Sequence, residues 1–176
     1  MGRIVVTEYV TLDGVFEEPG QWSGPFFNDE VAKWKFDELF GADAQLLGRK
    51  TYEGFAAAWP TYHDEAGFAD RMNGMPKYVV SSTLRDPEWN NSRVISLGDV
   101  PGLQEGTLLV AGSGQLVRAL LEQKLVDELR LLVHPLVRGH GPKLFEDGLP
   151  TASFELVDLQ SFSTGALGLT YRPAAA

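Results

Sequence analysis

The chain contains no cysteine. That excludes disulfides, thiolate metal sites and cysteine nucleophiles. Histidine is scarce, present only at 63, 134 and 140, so a His-rich metal cluster has little to draw on and no metal is expected. Basic residues are outnumbered: 15 Lys and Arg against 24 Asp and Glu give a net charge of −9. A nucleic-acid or anionic-membrane surface needs a basic face, so neither partner is expected; a local basic spot for one phosphorylated ligand is still allowed. Long apolar runs are missing too. No stretch can span a membrane, and the opening IVVTEYVTL lacks the regions of a signal peptide. The expectation is a cytoplasmic protein.

What the chain does have is material for a core: 44% of its 176 residues are hydrophobic and 11% aromatic. Residues 1–172 read as a single domain and 173–176 as a frayed tail. Residues 3–11 are β-branched and aromatic, a first strand. DGVFEEPGQWSGPFFN, 13–28, is a long loop with three glycines, two prolines and four aromatics. Long loops in compact domains are usually functional or disordered, and the aromatics argue against disorder. The spacing then predicts a helix from Asn28 or Asp29 to Gly41, a strand at 44–47, helices at 51–58 and 64–73, and strands at 77–82 and 93–96. A buried strand at 107–112 leads into a helix over 113–125, whose Leu116, Val117, Leu120, Leu121 and Leu125 form one stripe. Strands at 127–137, 154–160 and 166–172 close the chain, the last two as an antiparallel hairpin. Strands and helices alternate early and strands dominate late. That order predicts a three-layer α/β/α sandwich with a mostly parallel central sheet and antiparallel C-terminal strands.

GRKTYE, 48–53, organises the rest. A strand, Gly48 and then a helix start make a ready anion site, because free N–H groups and the helix dipole both favour an anion there. Arg49 offers a fork for phosphate, and Thr51 can cap the helix. The plainer reading is a strand-to-helix turn with a solvated arginine. Two other strand ends have the same character: Ser81-Ser82-Thr83, and Ala111-Gly112-Ser113-Gly114 at the start of the long helix. A small residue where strand meets helix is more often packing than binding, but three in one chain suggest a cradle for a ligand with several phosphates. Hydroxyls and an arginine favour NADP over NAD. Gly112-x-Gly114 is half of the dinucleotide fingerprint, since Val117 stands where a third glycine belongs.

TLDGV at 11–15, LLGRKTYEGF at 46–55, KYVVSSTL at 77–84 and the run from Leu108 to Phe145 resemble the dihydrofolate-reductase-like superfamily, most closely the C-terminal reductase domain of the riboflavin-biosynthesis deaminase–reductase. The resemblance covers almost the whole chain. The deaminase half is absent, and Phe16 stands where the family usually has a lysine after its aspartate–glycine pair. The resemblance implies an NADPH-dependent reductase of a small heterocycle, either a pyrimidine riboside of riboflavin biosynthesis or a pterin or dihydrofolate-like compound. A module that binds NADP(H) without turnover is the alternative. It places Gly48, Arg49 and Thr51 at the pyrophosphate or 2′-phosphate and Ser81, Ser82 and Thr83 at the ribose phosphate. It places Gly112, Ser113, Gly114, Gln115 and Leu116 around the pyrophosphate and nicotinamide ribose, and Val6 and Thr7 near the nicotinamide. The resembling reductases are usually homodimers.

Reducing a C=N bond also requires a proton. Asp13 is the candidate acid, or else the former of an Asp-Gly turn. Asp29 and Glu30 stand where dihydrofolate reductases hold substrate by a carboxylate, although Asp29 also suits a helix cap. Trp22 and Phe26 could stack on a flat substrate or pack the loop. His134 reads as a core residue, His140 as a turn residue and Arg138 as a phosphate contact or a solvated side chain. The loop at 13–28 is expected to close over the substrate and exclude water.

Overall fold

The computed structural model describes residues 2–175; Met1 and Ala176, the last of the expected tail, lie outside them. One eight-stranded sheet runs through the molecule in the order β4-β3-β2-β5-β1-β6-β8-β7. Its strands are β1 Arg3–Thr11, β2 Ala44–Gly48, β3 Lys77–Val80, β4 Ser92–Ile95, β5 Thr107–Val110, β6 Glu128–His134, β7 Phe154–Ser161 and β8 Leu167–Pro173. The six strands from β4 to β6 are parallel, and β8 and β7 complete the sheet antiparallel. The expected tail begins later than residue 173. Pro173 pairs with Phe154, and the Ala174 N–H donates to Ser153 O.

The helices are α1 Asp29–Phe40, α2 Arg49–Ala58, α3 Phe68–Gly74 and α4 Gly114–Glu122. Alternation along the strands decides which face each one covers. Ile4, Val6, Leu46, Leu108 and Val110 point to α4 and meet Leu116, Val117 and Leu120. Val5, Leu47, Val79 and Leu109 point the other way and meet Leu39 of α1, Tyr52 of α2 and Met72 of α3. Burying side chains of this size contributes about 1.5–3 kcal/mol each, so both faces stabilise the sheet. α1 starts where Asn28 accepts from the Val31 N–H, and Asp64 caps α3 through the N–H groups of Phe68 and Ala69. α2 starts two residues earlier than expected: Gly48 takes the N-cap position, and Thr51 falls in the first turn.

Candidate cofactor and substrate site

Where neighbouring parallel strands send their following helices to opposite faces, a crevice opens at the strands' carboxyl ends. β5 has this relation to both its neighbours. α4 leaves β5 towards one face, while α2 and α1 leave β2 and β1 towards the other. At the β2–β5 junction the two chain ends abut: the Gly48 N–H donates to Gly112 O at 3.0 Å. A Cβ on Gly48 would run into Ser113 and lie 2.8 Å from its backbone nitrogen. Gly112 has φ +110°, and a Cβ there would lie 2.6 Å from Thr51 Oγ1. Both glycines are thus required by a close approach that brings the first turns of α2 and α4 together. The Ser113 hydroxyl caps α4 through the Leu116 N–H, and Gln115 is exposed in its first turn. Leu116 itself is a core residue. Gly114 is buried under the Phe16 ring.

The third strand end lies alongside. Gly48 is opposite Val80, so Ser81 emerges next to Arg49. Ser81 Oγ accepts from the N–H groups of Thr83 and Leu84, which curls Ser82 and Thr83 into an exposed turn. Arg49 projects to solvent and pairs with Glu53 at 3.0 Å. An exposed pair at this spacing is worth about 0.3–0.5 kcal/mol, little against a phosphate contact. On β1 the family-based placement needs correcting. Val6 is opposite Val110, the last residue of β5, and is fully buried in the core. The Thr7 hydroxyl donates to Glu38 and accepts from Lys35 on the α1 face.

The loop after β1 is packed, with short 3-10 turns at Pro19–Gln21 and Gly24–Phe26. Trp22 is 7% exposed and stands edge-on to His134, with Nε1 donating to Glu17 O. Phe26 and Tyr9 complete a box around the imidazole, which burial holds neutral. Both aromatics therefore pack on His134, not on an open ring site. Asp13 departs from its expected role as an acid. Thr11 Oγ1 and the N–H groups of Arg138 and Gly139 all donate to it, holding its carboxyl well below the usual carboxylate range. Asp13 joins two loops as an anion and has no proton to give near neutral pH. Glu30 is committed elsewhere as well: it accepts from Ser163 N–H and Oγ and from Asn28, tying α1 to the β7–β8 turn. Asp29 is exposed in the first turn of α1.

The match that decides the family spans nearly all of this architecture: a model of the RibD C-terminal domain fits residues 3–103 and 97–167. The chain belongs to the RibD C-terminal domain family. The uncharacterized protein YyaP of Bacillus subtilis (strain 168) is 28% identical over 179 residues, covering 96% of this chain and 94% of that protein. A putative riboflavin biosynthesis protein from Shewanella sp. PV-4 superposes with a TM-score of 0.78 at 19% identity, over 98% of this chain and 99% of the other. Dihydrofolate reductase from Enterococcus faecalis, solved with NADP(H), gives a TM-score of 0.65 at 15% identity, over 99% and 98% of the two chains. These likenesses show a dihydrofolate-reductase-like fold.

This RibD C-terminal domain also holds a candidate site residue that no linear motif announces. Glu8 is the second β1 residue past the end of β5 and is 7% exposed. Burial, with Glu38 nearby, outweighs Lys35 and pushes its carboxyl up to about 8. A signal was present in the sequence: Glu8 is in phase with Ile4, Val6 and Val10, so a charged type occupies an inward position of an apolar strand. The polar cluster on the opposite, α1 face (Lys35, Glu38, Arg130 and Glu128) has no linear motif to announce it.

Proposed function

We propose that this RibD C-terminal domain is an NADPH-dependent reductase of a small heterocyclic substrate, a pyrimidine riboside of riboflavin biosynthesis or a pterin-like compound such as dihydrofolate. One observation carries the reading: two helix N-termini meet at the β2–β5 crevice, at glycines that admit no side chain. The residues suit the cofactor. The amides of α2 and α4 suit the pyrophosphate, Arg49 with Ser81, Ser82 and Thr83 suits a 2′-phosphate, and Glu8, beside Gly112, borders the way to the nicotinamide end. NADPH, when bound, supplies the hydride. The protein aligns the reactants and keeps water out.

The test is ligand-dependent melting of the whole chain with NADPH and with NADH. At about 100 times its dissociation constant a ligand should stabilise by about 2.7 kcal/mol. No shift with either dinucleotide at millimolar concentration removes this reading. Binding without oxidation across pterins, dihydrofolate and aminouracil ribosides would instead make the protein a sensor. Arg49→Ala should weaken NADPH by about 1.5–3 kcal/mol and NADH far less, because a charge-assisted phosphate contact is lost. Equal weakening would move Arg49 to the pyrophosphate shared by both.

The active unit in this reading is a homodimer. On the α4 side of the sheet, the β7 end carries exposed leucines. There Leu131, Leu169 and Leu159 form one row, and Tyr171 and Leu156 the next. Leu156 is 50% and Leu159 56% exposed. A contiguous apolar sheet face of this kind suits a second copy of the same chain.

A further inference from the structure

Glu8 extends into the α4-side crevice with Oε1 buried and, among the described residues, without a hydrogen-bond partner. A Cβ on Gly112 would lie 3.5 Å from that oxygen, and Thr51 Oγ1 borders the same space. A buried, unmatched carboxyl oxygen calls for an explanation, and a missing ligand group is one. It lies one residue past Thr7, on the β1 segment that β5 leaves uncovered. The charged groups that bear on it come from α1: Lys35 favours its ionisation and Glu38 opposes it. α2 brings the Thr51 hydroxyl, and the β5–α4 turn brings Gly112.

Resting on the reductase reading above, we propose that Glu8 is the acid of the site: protonated opposite the reduced nicotinamide, it gives its proton to the substrate and is left as a carboxylate opposite the oxidised ring. The electron balance is that of C=N reduction. The hydride from the cofactor adds to carbon, the π pair moves to nitrogen, and nitrogen takes the Glu8 proton to give CH–NH. Glu8 regains a proton from water when the site opens. Asp13 and Glu30 are held ionised and offer no substitute. Burial keeps Glu8 protonated at neutral pH. The positive charge of the oxidised ring then favours its carboxylate, so proton release follows the oxidation state of the cofactor.

Linkage makes this measurable without a substrate. The full chain is titrated with NADP+ and with NADPH from about pH 6 to about pH 9, and the ratio of the two dissociation constants is followed. Ionisation of the 2′-phosphate is common to both and cancels. A carboxyl whose pKa falls by about one unit in the oxidised complex tightens NADP+ relative to NADPH by a factor that approaches tenfold as pH rises to about 9. Glu8→Gln should bind both with a pH-independent ratio. Calorimetry of the wild type in two buffers should show proton release with NADP+ beyond that with NADPH, a result that stands even if Glu8→Gln does not fold. A flat wild-type ratio, equal proton release with the two cofactors, or a pH-dependent ratio that survives in Glu8→Gln overturns the assignment while leaving the reductase reading intact. If neither dinucleotide binds, the reductase reading falls and this assignment falls with it.

Discussion

Asp13 accepts from one hydroxyl and two backbone N–H groups, and each donor favours the ionised carboxylate. Its folded pKa therefore lies below its ordinary value of 3.8. For a carboxyl shifted down, the added stability is fully present above the unfolded pKa and is lost as pH falls through the folded one. Asp13→Asn should lower the melting temperature at neutral pH, and the gap from wild type should close as pH drops below about 4. A gap that is unchanged in acid would show that the charge is not what holds the turn. Glu8, five residues earlier on β1, is the counterexample. Among the described residues its buried Oε1 has no donor, so desolvation prevails and its carboxyl is pushed up to about 8. One chemical group, the carboxyl, in two environments yields an anion that fastens loops and a protonated group that faces a crevice.

Among the elements, the loop between β1 and α1 departs most from expectation. Its glycines and aromatics suggest a segment that opens and closes, yet Trp22 is buried against His134 and its indole N–H is bonded within the loop. Trp22→Ala should cost about 3–5 kcal/mol, as truncating a buried aromatic does. A urea midpoint that hardly moves would restore the picture of a mobile flap. Phe16 belongs to the same loop, and its ring lies on Gly114 at the start of α4. The elements around the crevice follow their sequences closely. The stripe on α4 is the one that packs, and β2 ends at Gly48 because its close approach to Ser113 leaves no room for a side chain.

For the whole molecule, the sheet is longer than its helical cover. A bulge between Leu156 and Asp158 adds a residue to β7, so that Leu156 and Leu159, three apart, share one face. That face is the surface proposed for a second copy of the chain. Leu159→Glu should turn a species of about twice 19.3 kDa in light scattering into one of 19.3 kDa, with the far-ultraviolet spectrum unchanged. A wild type that already scatters as 19.3 kDa at low micromolar concentration would remove the homodimer.

The alternation along β1, the stripe of α4 and the small residues at three strand ends were legible because they depend on local spacing. Together with the motif resemblance they determined the fold class and singled out the three strand ends that the proposed cofactor site uses. The order of strands, with β5 inserted between β2 and β1, was not legible, and that order brings Gly48 against Gly112 and exposes the end of β1. The ionisation of the carboxyls was also beyond the sequence. Asp13 meets donors from residues 138 and 139, and Glu8 meets neighbours from α1, α2 and the β5–α4 turn. Whether a carboxyl keeps its proton depends on the donors and the dielectric around it, and only the packed tertiary structure supplies both.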